Sequence, residues 1–224
     1  MSPAAMDDPT APRKQLSGPT KANFLPSKIL PFSKTLKDGT KVVITPWING
    51  YTDAPPRAMV ETLCEEMNGE IESGDTYPID EAMGVEAFQS YWFGNFAAVV
   101  TVDEDAAEGT LLGSFHIKPN YPGRCSHVCN GAFLTAKAAR GRGVGKIMAE
   151  TFLVYAPLLG YKSSIFNLVF ETNVASCKLW DRLGFTRSGR VKDAGWLKVG
   201  GEEKYVDAIV FQKIFDEPAQ EDEV

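Results

Sequence analysis

The sequence predicts one mixed α/β domain of the α+β type, with a mostly antiparallel sheet flanked by helices. Three observations carry that expectation. Apolar, β-branched runs of strand length recur between residues 40 and 211, separated by polar, Gly or Pro breaks. Between some of them, apolar residues repeat every three or four positions, the spacing of one helix face. No internal repeat and no long linker divides this core, so a single domain over residues 21–215 accounts for it.

In order, residues 1–20 are rich in Pro, Ala, Asp and Lys with little to bury, and residues 216–224 form an acidic tail. Both ends are expected to be disordered. Residues 40–46 (TKVVITP) read as a first strand, and residues 55–67 as a helix opened by proline with Met59, Leu63 and Met67 on one face. Residues 68–94 mix Gly, Asp, Pro and aromatic side chains and predict a loop, then a short helix. Residues 97–102, 110–118 and 127–135 predict an antiparallel meander. The series Val144, Ile147, Met148, Thr151, Phe152, Tyr155, Leu158 and Leu159 predicts an amphipathic helix. Residues 163–170 predict a nearly continuous apolar strand, and residues 173–183 a helix closed by Gly184-Phe185. Residues 185–191 and 205–211 predict the last two strands.

With 224 residues, 44% of them hydrophobic and 23% charged, the chain can build a sizeable core. Its formal charge of −6 argues against a nucleic-acid or acidic-membrane surface, which needs clustered Lys and Arg, and favours small-molecule partners. No run approaches the roughly 20 apolar residues of a membrane span, and the N-terminus has no apolar secretory core. A cytoplasmic address is therefore expected, with a mitochondrial fraction as the alternative. Cys64, Cys125, Cys129 and Cys177 are scattered and expected to be reduced. Cys125, His127 and Cys129 alternate as residues of one strand do and lack the paired spacing of structural zinc, so no metal is expected.

The chemistry centres on residues 133–150, FLTAKAARGRGVGKIMAE, where a strand ends and three glycines precede the amphipathic helix. Glycines let backbone N–H groups converge, and the positive end of the helix dipole behind them favours a phosphate or pyrophosphate. Arg140, Arg142 and Lys146 add cationic attraction. The spacings of a dinucleotide fingerprint and of a P-loop are both missing. A tight strand-to-helix connection is the plainer reading of the same glycines. Arg140-x-x-Gly143-x-Gly145, however, resembles the pyrophosphate signature of the GNAT (Gcn5-related) acetyltransferases. Asn173-x-x-Ser176-x-x-x-Trp180-x-x-x-Gly184-Phe185 resembles a second motif of that family. The resemblance covers residues 38–213 approximately. It implies acetyl-CoA as co-substrate, wedged into a splayed central sheet. Its pantetheine arm is expected on the backbone of Phe133, Leu134 and Thr135, and its pyrophosphate on Arg140, Gly141, Arg142, Gly143, Val144 and Gly145. Asn173 is expected to touch it as well.

Acetyl transfer to an amine needs an uncharged nitrogen, an oxyanion donor and a proton for the leaving thiolate. The donor is expected to be a backbone N–H just past Gly131, with Phe133 ranked first, because a bulge at Asn130-Gly131 would free such a group. In many GNAT enzymes a tyrosine supplies the proton. Here Trp180 stands at that position, and an indole N–H is no practical acid. Water, a thiolate leaving unprotonated, or Tyr155, Tyr161 or another residue completes the step instead, while Trp180 is expected to pack. The family's frequent carboxylate base is absent between Ser126 and Thr135, so positioning is expected to carry much of the rate. His116 and His127 are the only histidines, and strand alternation turns His127 away from the face of Asn130.

Asn130 and Asn167 each interrupt an apolar strand, where an amide without partners costs about 1–3 kcal/mol. Either they satisfy local backbone, or they donate to the carboxylate of a small substrate; the second reading is favoured. The segments KPNYPGRCSHVCNGAF and FNLVFETNVASCKLWDRLGF, with the earlier TYP, resemble the fungal proline-analogue acetyltransferases, which detoxify azetidine-2-carboxylate. This closer resemblance implies acetylation of a ring secondary amine on a small amino acid, a homodimer and a fungal source. It places the substrate on Asn130 and Asn167 and Asn173 near the reacting centre. Tyr77 is expected in the substrate pocket, with Phe133, Phe166 and Trp92 as further wall candidates. Two other readings stay open. One is a GNAT enzyme for a polyamine or an antibiotic, which would call for acidic pocket residues; the other is a non-catalytic acetyl-CoA-binding module.

Overall fold

In the computed structural model, which describes residues 23–103 and 109–215, strand β3 (Phe96–Val102) is flanked by two apolar cores. Phe96, Ala98 and Val100 enter one core, and Ala97 and Val99 the other. That division follows from the period of two in a strand covered on both faces. The tails expected to be disordered, residues 1–20 and 216–224, lie outside the described residues.

The remaining strands are β1 (Phe32–Thr35), β2 (Lys41–Ile48), β4 (Leu111–Pro119), β5 (Val128–Thr135), β6 (Ser163–Phe170), β7 (Thr186–Val199) and β8 (Glu202–Ile214). They form one sheet in the order β1-β2-β3-β4-β5-β6-β8-β7. Every neighbouring pair is antiparallel except β5 and β6. Helices α1 (Arg57–Ser73) and α2 (Val85–Phe93) cover one face, burying Val60, Leu63, Met67, Phe88 and Trp92. Helices α3 (Val144–Leu158) and α4 (Val174–Arg182) cover the other with Ile147, Met148, Phe152, Cys177 and Trp180. Each large apolar side chain so buried contributes about 1.5–3 kcal/mol, which makes these two layers the main source of stability.

The fold matches the sequence expectation, with three differences of extent. Helix α1 continues past Met67 because Gly69 is tolerated on its exposed side; the stop is Gly74, left-handed at φ 67°, whose N–H caps Glu70 O. Strand β1 was not expected, since only one of its four residues is even partly buried. It exists because the turn to β2, closed by Leu36 N–H on Thr40 O at 2.9 Å, folds it back. The β7–β8 hairpin runs well beyond residues 191 and 205 and carries its own small core of Phe170, Leu197, Val206 and Ala208. Its exposed polar face gives no apolar alternation to read.

Candidate active site

The open edge of β5 is the central feature. Asn120 N–H donates to Val128 O at 2.8 Å and Ala136 N–H to Leu112 O at 3.0 Å. In an antiparallel ladder this phase assigns the even-numbered residues of β5 to bonding with β4. The N–H and C=O groups of Gly131, Phe133 and Thr135 therefore point the other way, towards β6. Strand β6 pairs with β5 only at Val128↔Ser163 and Cys129↔Ser164, and then diverges. Past Cys129 this splay releases the odd-numbered backbone groups of β5 from pairing with β6.

That corrects the expectation of a bulge at Asn130-Gly131. The β4–β5 register runs unbroken from Gly113↔Thr135 to Pro119↔Cys129. Gly131 answers a different need: a Cβ there would lie 2.7 Å from His116 O and 3.0 Å from Phe152 Cε2. Only glycine lets strand, strand and helix approach so closely.

Past the end of β5, a 3-10 turn (Lys137–Ala139) leads into the glycine turn. Gly141 and Gly143 adopt left-handed φ values of 77° and 94°, and Gly143 is the N-cap of α3 without any side-chain cap. The first helical bond is Ile147 N–H to Gly143 O at 3.2 Å, so the N–H groups of Val144, Gly145 and Lys146 have no helical partner. A Cβ on Gly141 would meet nothing within 4 Å, and one on Gly145 would face Thr135 Oγ1 at 3.8 Å, so both glycines leave space beside these donors. An uncapped helix start beside an open strand edge fits the pyrophosphate and amide-bearing arm of acetyl-CoA. The two arginines are turned outward: Arg140 pairs with Glu70 of α1, and Arg142 with Asp38 at 2.8 Å and Thr40 Oγ1 at 2.8 Å. The Thr40 N–H first, and then Arg142, hold the Asp38 carboxyl down to about 2. Lys37, not singled out from sequence, packs towards Gly143 and with Lys34, Arg142 and Lys146 lines a cleft of about 120 Å³ beside the turn.

At the mouth of the splay stands a cluster of three asparagines. Asn130 Nδ2 donates to Asn120 Oδ1 at 3.0 Å, and Asn167 Nδ2 to the same oxygen at 2.6 Å. Asn120 Nδ2 returns a bond to Asn167 Oδ1 at 3.3 Å, while Gly131 N–H donates to Asn130 Oδ1 at 2.7 Å. The structure thus brings Asn130 and Asn167 together, through a third amide that sequence reasoning passed over. Its only signal was a polar residue directly after the strand, in the KPN of the quoted segment. Lys118 lies opposite Asn130 across the β4–β5 ladder, with its ammonium 4.6 Å from the Tyr91 ring centre.

Beneath the open edge, Phe133 stacks on Phe115, its ring centre 5.0 Å from Trp180 and 5.9 Å from Phe166. Trp180 is buried, 4.4 Å from Phe166, with its indole N–H on Ser176 Oγ at 3.0 Å, so it packs. Tyr77, reached from the loop between α1 and α2, donates its hydroxyl to Phe133 O at 2.9 Å, on the open edge and not within the asparagine cluster. Burial raises the Tyr77 phenol well above its ordinary value, which keeps it a donor. Asn173 is the N-cap of α4, its Oδ1 accepting Ser176 N–H at 3.0 Å, so that oxygen is committed to the helix start. Tyr155 donates to Leu30 O at 2.8 Å and Tyr161 is buried; burial raises both phenols. His116 is buried against Trp92 at 4.7 Å between ring centres, and burial first, then Lys118, push its pKa well down. Among the described residues no group of three or more His, Cys, Asp or Glu is placed to hold a metal, the four cysteines are free, and no helix is long and apolar enough to cross a membrane.

This geometry has counterparts. A profile of the acetyltransferase (GNAT) family matches residues 59–185. N-acetyltransferase aca1 of Schizosaccharomyces pombe is 46% identical over 178 residues, spanning 73% of this chain and 83% of that protein. A GCN5-related N-acetyltransferase from Kribbella flavida superposes with a TM-score of 0.65 at 30% identity, over 76% of this chain and 97% of that one. The structure of yncA from Salmonella typhimurium, solved with its cofactor acetyl-CoA, shares the fold with a TM-score of 0.62 at 18% identity, over 81% and 99%. The family match spans more than half of the chain, and the splayed edge and uncapped glycine turn lie within or beside it. The chain belongs to the GNAT acetyltransferase family and is an acetyl-CoA-dependent N-acetyltransferase.

Proposed function

We propose that the acceptor is the ring secondary amine of a small cyclic amino acid, azetidine-2-carboxylate or another proline analogue, whose carboxylate is received by Asn130 and Asn167. The observation that carries this reading is the bonding state of the amide cluster. Every amide oxygen in it already accepts a hydrogen bond, while Asn130 Nδ2 and Asn167 Nδ2 each use one N–H within the cluster and carry a second. A site with surplus donors suits an acceptor-only group such as a carboxylate. It offers no particular fit to a polyamine, which would call for acceptors.

When bound, acetyl-CoA supplies the activated acyl group. The chain's own residues hold the two reactants. The Phe133 N–H, at the open edge, is assigned to the acyl oxygen, and the gap-facing backbone of Phe133 and Thr135 to the pantetheine arm; Leu134, expected there too, turns its N–H and C=O to β4 and so drops out. Residues 140–145 are assigned to the pyrophosphate, chiefly through backbone N–H groups, since Arg140 and Arg142 are engaged elsewhere. Tyr77 steadies the Phe133 carbonyl as one wall of the acceptor pocket. Asn173 caps α4, and its amide N–H groups are assigned to the reactants. No carboxylate on β5 is ready to take the amine proton, so orientation carries much of the rate. The reading includes a homodimer, checked by sedimentation equilibrium, and a cytoplasmic address, checked by fractionation.

The test is thiol release from acetyl-CoA across a panel of azetidine-2-carboxylate, proline, the 4-hydroxyproline isomers, spermidine and an aminoglycoside. Release with a cyclic imino acid is expected. Release with spermidine or the aminoglycoside and with no cyclic imino acid would overturn the acceptor assignment.

A further inference from the structure

We infer that Asn120 is the positioning residue of the acceptor site: its one amide oxygen gathers Asn130 and Asn167 so that their remaining N–H groups face the same carboxylate. The inference rests on the acceptor reading above and deepens it.

The orientation of all three amides follows from a backbone group. The Gly131 N–H can only donate, so the Asn130 atom 2.7 Å from it is the oxygen. The other end of Asn130 is then the NH2, and the Asn120 atom it meets at 3.0 Å is an oxygen. That oxygen also lies 2.6 Å from Asn167, which must present its NH2 there, and the remaining pair, Asn120 Nδ2 and Asn167 Oδ1, match at 3.3 Å. One strand N–H thus fixes the whole cluster. Asn130 and Asn167 each spend one amide N–H on Asn120 Oδ1 and keep a second.

Burial divides the labour. Asn120 is 8% exposed, whereas Asn130 and Asn167 are partly exposed. Asn120 is held at its backbone by Val128 O at 2.8 Å, at the end of β4, where β5 and β6 still pair. A buried hub with fixed backbone restricts the rotamers of two more exposed amides before any substrate arrives, which lowers the ordering cost of binding. Asn130 sits on β5 and Asn167 on β6, on opposite sides of the splay, so no contact within one strand would bring them together.

The experiment compares azetidine-2-carboxylate with its uncharged carboxamide in wild type, Asn120→Asp and Asn120→Ala, with acetyl-CoA binding followed by calorimetry. Aspartate keeps an oxygen for both accepted bonds, gives up the long 3.3 Å bond to Asn167 Oδ1, and sets a negative charge beside the substrate carboxylate. It is expected to raise KM for the acid by at least about tenfold and KM for the carboxamide by less than about threefold, with acetyl-CoA affinity unchanged. An unchanged KM for the acid, or equal losses with both acceptors, overturns the inference. Should Asn120→Asp fail to bind acetyl-CoA, Asn120→Ala decides, since it adds no charge. The wild-type preference for acid over carboxamide in kcat/KM then falls about tenfold if Asn120 aims the donors, and stays the same if it does not. Wild type that acetylates neither acceptor overturns the substrate reading itself, and this inference with it.

Discussion

Replacing Gly131 with alanine probes the close approach that shapes the open edge. The added Cβ would lie 2.7 Å from His116 O, 3.0 Å from Phe152 Cε2 and 3.4 Å from Phe152 Cδ2. The first neighbour is backbone of the paired strand β4, and the second belongs to a ring with no solvent exposure, so neither can swing aside. Overpacking of this kind costs about 1–3 kcal/mol. The smaller conformational freedom of unfolded alanine returns about 0.4–1 kcal/mol. The net expectation is a loss of about 1–2 kcal/mol, or a Tm lower by about 2–8 °C for a domain of this size. The measurement is a thermal melt followed by circular dichroism, with urea unfolding to confirm that the slope is unchanged. Gly69→Ala is the control: Gly69 is exposed on α1 with nothing within 4 Å of an added Cβ, and its Tm should rise. A Gly131→Ala protein as stable as wild type would refute the argument that close approach, and not chain flexibility, requires this glycine.

Gly143→Glu should abolish acetyl-CoA binding in calorimetry, by strain at φ 94° and by charge beside the expected pyrophosphate, whereas Asn130→Ala should raise only the acceptor KM; equal cofactor loss in both would undo that division. Asn173→Asp keeps the oxygen that caps α4 and should melt like wild type, while Asn173→Ala should lose about 1 kcal/mol. If the aspartate also leaves kcat/KM unchanged, Asn173 is a cap and nothing more. Trp180→Ala should cost about 3–5 kcal/mol, and Trp180→Phe should keep kcat within about threefold; a larger fall in the phenylalanine variant would give the indole N–H a chemical role. Because burial holds the His116 pKa below its ordinary value, the unfolded chain binds the proton first. The contribution of His116 is therefore full above its ordinary value of 6.5 and is lost progressively as the pH falls below it. His116→Phe should flatten that decline in urea melts between pH 6.5 and 5, a window separate from that of Asp38, which lies below its ordinary 3.8. An unchanged decline would show that His116 is not its source.

Local sequence determined most of the elements and the cofactor turn. The three- and four-residue spacing of Val144 to Leu159, the Gly141/Gly143/Gly145 series and the Asn173 to Phe185 motif are contiguous patterns. A helix face, a left-handed turn and a cap are set by neighbours in the chain. Strand β1 and the outer part of the β7–β8 hairpin were illegible because their stabilising contacts come from pairing and from Phe170, not from their own alternation. Asn130 and Asn167 could be picked out as polar breaks in apolar strands, but their partner could not.

Acetyl-group chemistry was therefore written in short motifs, while the details of the open edge were decided in three dimensions. The sequence suggested a bulge at Asn130-Gly131; the structure frees the same N–H groups by the divergence of β6 after Cys129. Whether an odd- or even-numbered residue of β5 faces the gap depends on the bonding phase with β4. Which way an asparagine turns depends on a backbone N–H and on a residue 47 positions away. The sequence by itself determined that a helix start with free N–H groups follows a strand. Only the tertiary structure decided what stands opposite that strand, because strand pairing and amide hydrogen bonds join residues far apart in the chain.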